Sequence, residues 1–129
     1  MSAALMHEGL ERAAARFGGR DVIRAADDRW SFEDLDGWAN AFARLLDGRG
    51  VGPTDRVAVM TSNRVEFLVV VEAVSRLGAA AVLLSPAWKA TEVGHALGIT
   101  GARHAVAEAA TGPLLAEALG DGAVTDLDD

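Results

Sequence analysis

Apolar positions along this chain repeat with two periods, and each change of period marks a change of element. From about Leu5 to Phe17, Leu5, Leu10, Ala13, Ala14 and Phe17 share one helical face, and Gly18-Gly19 closes the run. "DVIRAADDRWSF" then predicts a small hairpin, Val22 to Ala25 and Arg29 to Trp30, turned over Asp27-Asp28. Ser31 followed by Asp34 has the form of a capping box, with Trp30 placed to staple onto Leu35, so a helix should begin at Phe32. Its apolar set, Leu35, Trp38, Ala39, Phe42, Leu45 and Leu46, keeps helical spacing until "GRGVGP" breaks it.

From Arg56 onward short apolar strands alternate with helices. "RVAVM" reads as a strand. A helix capped by Asn63 follows, with Glu66 in its first turn and Phe67, Val70, Val71, Val74 and Leu77 inward. "AAAVLL", "HAVA" and "AVT" read as further strands, separated by helices near Ala90 to Leu97 and Pro113 to Leu119. The strands are apolar on both faces and lack hairpin turns between them. That pattern predicts an α/β fold, a parallel sheet with helices on both faces, preceded by a small N-terminal hairpin. In such sheets ligands meet the loops at the carboxyl ends of the strands, which points to Thr61-Ser62-Asn63, Ser85 to Lys89 and the segment after Ala107.

Bulk properties narrow the classes. The 129 residues are 50% hydrophobic and 24% charged, enough for residues 1–129 to form a single α/β unit. A net charge of −7 with scattered cations disfavours nucleic acid and anionic lipid as partners. The apolar region from Phe67 to Trp88 is interrupted by Glu72, Arg76, Gly78 and Pro86, so no membrane span is expected, and His7, Glu8, Glu11 and Arg12 disrupt a secretory signal. The absence of cysteine fits a cytoplasmic location.

Little of this carries chemistry by itself. "GRGVG" follows a helix and precedes a strand, the wrong order for a phosphate loop, and no GxxxxGK[ST] or GxSxG element exists. His7, His95 and His104 have no metal-ligand spacing. Asp27-Asp28 fits a turn, Glu33-Asp34-Asp36 a helix N-terminus, and Asp126-Asp128-Asp129 a tail, so none is assigned acid–base work and no catalytic or metal residue is expected. What stands out is Ser85, Pro86, Ala87, Trp88 and Lys89, where a buried strand delivers a proline, a large ring and the chain's one lysine to a single loop.

The order of motifs resembles the N-terminal part of the AMP-forming adenylating ligases, the superfamily of acyl-CoA synthetases, luciferases and peptide-synthetase adenylation domains. Ser31, Phe32 and Leu35 match its helix-opening segment, and Gly50, Val51, Asp55, Arg56, Val57 and Ala58 match the turn into its first strand. Asn63, Glu66 and Phe67 match the next helix opening, and Gly78, Ala79, Leu84, Pro86, Glu92 and Val93 the block after it. Thr54 stands where the family usually has Gly, Ser85 where Asn is frequent, and Lys89 where Ser or Thr commonly caps a helix. A lysine cannot accept first-turn amides, so that helix should lose about 1 kcal/mol relative to a Ser or Thr cap.

The resemblance implies a two-step reaction: a carboxylate attacks ATP to give an acyl-adenylate, and a thiol then displaces AMP. It implies ATP, Mg and coenzyme A for the complete enzyme and no cofactor in this chain alone, because the family's phosphate loop, ribose-binding aspartate and lid lysine find no match here. It places Ser85, Pro86, Ala87, Trp88 and Lys89 as lining of the thiol channel. The expected role is an N-terminal fragment or subdomain of such a ligase, catalytically incomplete by itself. Its partner is then the remainder of the ligase or a complementary chain, with homo-oligomers formed through exposed apolar surface as another outcome. The alternative is a stand-alone, non-catalytic module that binds a partner such as the other half of a split enzyme.

Overall fold

In the computed structural model, residues 21–25 and 28–128 are described. The N-terminal helix expected over Leu5 to Phe17, its Gly18-Gly19 stop, Asp27 and Asp129 lie outside them. Strands β1 (Asp21–Ala25) and β2 (Asp28–Ser31) pair antiparallel as the expected hairpin, with Ile23 opposite Trp30.

Helix α1 (Phe32–Gly48) starts where the capping box places it. The Asp34 amide donates to Ser31 Oγ and the Ser31 amide to Asp34 Oδ2, both at 3.0 Å. Trp30 packs on the cluster of Leu35, Ala39 and Val69, and its ring lies 5.1 Å from that of Trp38. Leu45 departs from expectation: it is exposed, because Leu35, Ala39, Ala43 and Leu46 form the buried row and Leu45 falls beside it.

"GRGVG" is a Schellman stop to α1. Gly50, at φ 95°, donates to Asp47 O at 3.0 Å and Val51 to Leu46 O at 3.1 Å, while the Val51 and Leu46 side chains meet in the core. The following turn bonds the Gly52 amide to Asp55 Oδ2 at 2.7 Å and leads into β3 (Arg56–Met60).

Helix α2 (Val65–Arg76) begins later than expected. Its N-cap position is Arg64 and not Asn63, which is exposed; the extended backbone at Arg64 turns its side chain toward carboxylates across the sheet end. Asp36 and Asn40 of α1 hold Arg76 of α2 at 2.7 and 2.6 Å, tying the two helices together. The remaining elements are β4 (Ala80–Leu83), α3 (Ala90–Thr100), β5 (His104–Ala107), α4 (Gly112–Leu119) and β6 (Val124–Asp126). Helix α3 runs three residues past the expected Leu97 to Thr100 before the left-handed Gly101 ends it.

The four later strands form one parallel sheet in the order β4-β3-β5-β6. Alternation along β3 sends Val57 and Val59 into a cluster with Leu46, Val70, Val74 and Val106, and Ala58 and Met60 into the opposite cluster with Val93, Leu97 and Leu115. Helices α1 and α2 therefore cover one face, and α3 and α4 the other, as the doubly apolar strands required.

Thr54 adopts φ 71°, the left-handed conformation that the family's usual glycine adopts without strain. Holding a side chain there costs about 1–2 kcal/mol, while glycine's extra freedom in the unfolded chain returns about 0.5–1 kcal/mol. The strain is the larger effect. Thr54→Gly should raise stability by about 0.5–1 kcal/mol, read as a higher urea midpoint with an unchanged slope; a lower midpoint would show that strain at Thr54 is not the dominant effect.

Candidate functional site

Parallel pairing brings the carboxyl ends of β3, β5 and β6 side by side, and the loops that leave them meet around Arg64. Its guanidinium spans Asp128 with two bonds, at 2.9 and 3.2 Å, contacts Glu66, and lies 3.5 Å from Glu108 Oε1. Glu108 follows β5 and is buried, accepting from the Ser62 amide at 3.0 Å and the Ser62 hydroxyl at 2.9 Å. Thr111 Oγ donates to Met60 O at 2.6 Å and accepts from the Glu108 amide at 3.2 Å, so the β5 loop is fastened to the end of β3.

The charges respond to these contacts. Arg64 is pushed above its ordinary value, chiefly by the hydrogen bond to Asp128. Asp128 is held below the usual carboxylate range by Arg64 first and by the Ala109 amide second. For Glu108, burial acts to raise the value, but the Ser62 amide and hydroxyl together with Arg64 outweigh it and hold the carboxyl low. Asp128 is thus an ion-pair partner of the β3 loop, which corrects its reading as part of an unengaged tail. Asp126 accepts the Asp128 amide at 2.9 Å in the same turn.

One guanidinium faces three carboxylates here, a local excess of negative charge that would repel a triphosphate. The residues present therefore do not fit a triphosphate at this edge, and the arrangement works as a clasp.

The other expected loop lies apart from the clasp, at the end of the outer strand β4. The Trp88 amide donates to Ser85 O at 3.1 Å and the Ala87 amide to Ser85 Oγ at 3.2 Å, folding Ser85 to Trp88 into a tight turn with Pro86 at its second position. Trp88 is 37% exposed, and Pro86, Ala87 and Lys89 are also exposed. Lys89 occupies the N-cap position of α3. Its own amide donates to Glu92 Oε2 at 3.2 Å while its side chain accepts nothing, so only half of a capping box forms. Among the described residues no salt bridge takes the Lys89 ammonium.

The loops Thr61 to Asn63 and the segment after Ala107 are legible from sequence as strand-end loops, but Arg64, Glu108 and Asp128 are not legible as partners. Their separations of 44 and 64 residues carry no local signal. His95 is exposed in the middle of α3, and His104 is half-buried at the start of β5.

The family model described as AMP-binding enzyme matches residues 10–128. The chain belongs to the AMP-binding enzyme family. Among curated relatives of that family, the medium/long-chain-fatty-acid–CoA ligase FadD6 of Mycobacterium tuberculosis is 33% identical over 95 residues, 74% of this chain and 16% of FadD6. The salicyl-AMP ligase / salicyl-S-ArCP synthetase of the same organism is 34% identical over 113 residues, covering 84% of this chain and 19% of the relative. The inhibitor-bound N-terminal domain of FACL13 from Mycobacterium tuberculosis superimposes with a TM-score of 0.84 at 26% identity, covering 96% of this chain and 33% of that domain. The chain thus has the fold of the first part of an AMP-binding N-terminal domain and spans a small share of its relatives' length.

The clasp predicts a pH dependence with a definite sign. Glu108 and Asp128 sit below their ordinary values of 4.5 and 3.8, so their stabilisation is complete above those values and is lost as pH falls through the lowered ones. Arg64→Gln should lower stability at pH 7 and flatten the acid limb below about pH 4.5, because Asp128 loses the main cause of its depression and Glu108 keeps only its bonds from Ser62. Parallel denaturant titrations from pH 7 to pH 2.5 would check it; acid limbs of equal slope would refute the clasp.

Proposed function

We propose that residues 1–129 form a single α/β subdomain, the first of an ATP-dependent acid–thiol ligase, and that they are catalytically incomplete by themselves. The observation that carries this reading is the match over residues 10–128 to AMP-binding enzymes, set against coverage of 16% of FadD6 and 33% of the FACL13 N-terminal domain. The clasp supports it, since three carboxylates around one guanidinium at the sheet's carboxyl end would repel a triphosphate. ATP, Mg and coenzyme A or a carrier-bound thiol belong to the complete enzyme, and the remainder of that ligase is the partner. The acyl substrate class follows the relatives, with fatty acids suggested by FadD6.

Within that enzyme, Ser85, Pro86, Ala87, Trp88 and Lys89 line the thiol channel. The turn that Ser85 closes projects an exposed ring and a cation that no described residue pairs at the carboxyl end of β4, a combination suited to an anionic, partly apolar thiol carrier. Among the described residues, no helix is long and apolar enough to cross a membrane, and we place the chain in the cytoplasm. A stand-alone partner-binding module is the second reading, favoured by the exposure of Leu83, Trp88 and Ile99 at 57%, 37% and 70%.

The purified 129-residue chain should show no acyl-dependent exchange of pyrophosphate with ATP and Mg; turnover by the chain alone would overturn incompleteness. Lys89→Ser separates the loop's two roles. A serine at the cap of α3 should add about 1 kcal/mol of stability, while in the complete enzyme KM for the thiol rises several-fold with acyl-dependent pyrophosphate exchange kept within about twofold. An unchanged thiol KM in both Lys89→Ser and Trp88→Ala would remove the loop from the channel.

A further inference from the structure

The amino end of the parallel sheet carries a second polar arrangement, separate from the clasp and from the turn at Ser85 to Trp88. Val57 pairs in register with His104, so Arg56 and Arg103, each one residue earlier, enter neighbouring strands side by side. Both are exposed. With Thr54, Asp55 and Gly101 they line a concavity of about 140 Å³. At about 30 Å³ per water in the liquid, that space takes a few waters or one tetrahedral oxyanion.

The charges at this place are not balanced within the chain. Two guanidiniums side by side repel each other, and a chain with 19 acidic and 12 basic residues has carboxylates enough to pair both. Among the described residues no salt bridge takes either one. Asp55, the carboxylate in the lining, is turned to its own loop, where Oδ2 accepts the Gly52 amide at 2.7 Å. Arg56 Nη1 donates to the Thr100 carbonyl, which occupies an acceptor at the negative end of α3 and leaves Nε and Nη2 of Arg56 for another. The Arg103 side chain makes no hydrogen bond to any described residue, so its whole fork is available.

Thr54 supplies an independent sign. Every other described residue with positive φ is a glycine, and the Thr54 hydroxyl takes no partner among the described residues. A glycine there would relieve the strain, yet a hydroxyl-bearing side chain stands at the rim of the arginine pair. Residues held in the left-handed region against their preference collect at ligand sites, where the strain serves binding. We propose that Thr54, Arg56 and Arg103 bind one phosphate-type oxyanion, either free or as the terminal group of a larger molecule. Donors from three side chains suit a group with three or four oxygens better than a planar carboxylate, which one guanidinium saturates. The bound anion also removes the repulsion between the two guanidiniums. The site lies at the opposite end of the sheet from the loops assigned to the ligase, and it stands whether or not that assignment does.

The test titrates inorganic phosphate into the 129-residue chain at pH 7 and fixed ionic strength, with chloride as the control and amide chemical shifts as the readout. The expected result is saturating shifts confined to Thr54 to Arg56 and Thr100 to Arg103, half-complete in the millimolar range and not reproduced by chloride. Arg103→Gln and Thr54→Gly should each weaken binding by about fivefold or more. Because Thr54→Gly does so while raising the urea midpoint, its lost affinity is not lost fold. Arg103→Lys, which keeps the charge without the fork, should fall between Arg103→Gln and the parent. Phenyl phosphate binding as well as inorganic phosphate assigns the terminal group of a larger molecule, and binding of inorganic phosphate alone assigns the free ion; both support the site. Shifts that grow without saturating, that chloride reproduces, or that persist unchanged in Arg103→Gln and Thr54→Gly overturn it.

Discussion

The fold depends on one strand being apolar in both directions. Val57, Ala58, Val59 and Met60 of β3 are at most 1% exposed, and the strand lies between β4 and β5 with a helical layer on each side. Nothing in β3 can be satisfied until both layers are in place: its valines need α1 and α2, and Ala58 and Met60 need α3 and α4. Each such valine or methionine removed from water contributes about 1.5–3 kcal/mol, so the sheet and both helical layers should form as one cooperative unit. The polar clasp is built on top of that order, since Ser62 and Arg64 reach Glu108 and Asp128 only once β3, β5 and β6 are aligned.

How much of this could be read from the residues follows from the range of each signal. The Ser31/Asp34 box, the doubly apolar strands and the Gly50 stop act within a few residues, and each produced the expected element. Asn63 failed as a cap because Arg64, the next residue, is held by Asp128, a partner 64 positions away that no local pattern exposes. Leu45 failed because helical spacing assigns a face but not where that face ends. The candidate site divides in the same way. Its loops were legible as strand ends, and its ion pairs were not.

Family membership and physical form agree on how the chain relates to its surroundings. At one outer strand Arg49 bonds the Val124 carbonyl, at the other Ala81 and Leu83 turn their backbone groups away from β3, and the relatives are several times longer than the matched stretch. The turn from Ser85 to Trp88 leaves the sheet at the carboxyl end of that outer strand.

The backbone bends are segregated. Every residue with positive φ among those described, Gly50, Thr54, Gly78, Gly101 and Gly120, lies in a connection that runs from a helix into a strand. The opposite connections, which carry Ser62, Arg64, Ser85, Trp88, Lys89 and Glu108, contain none. One end of the sheet therefore carries the conformational demands that constrain residue choice, and the other end is left with ordinary backbone that any side chain can occupy. A fold divided in this way can exchange the side chains carried at that end over evolutionary time without renegotiating its turns.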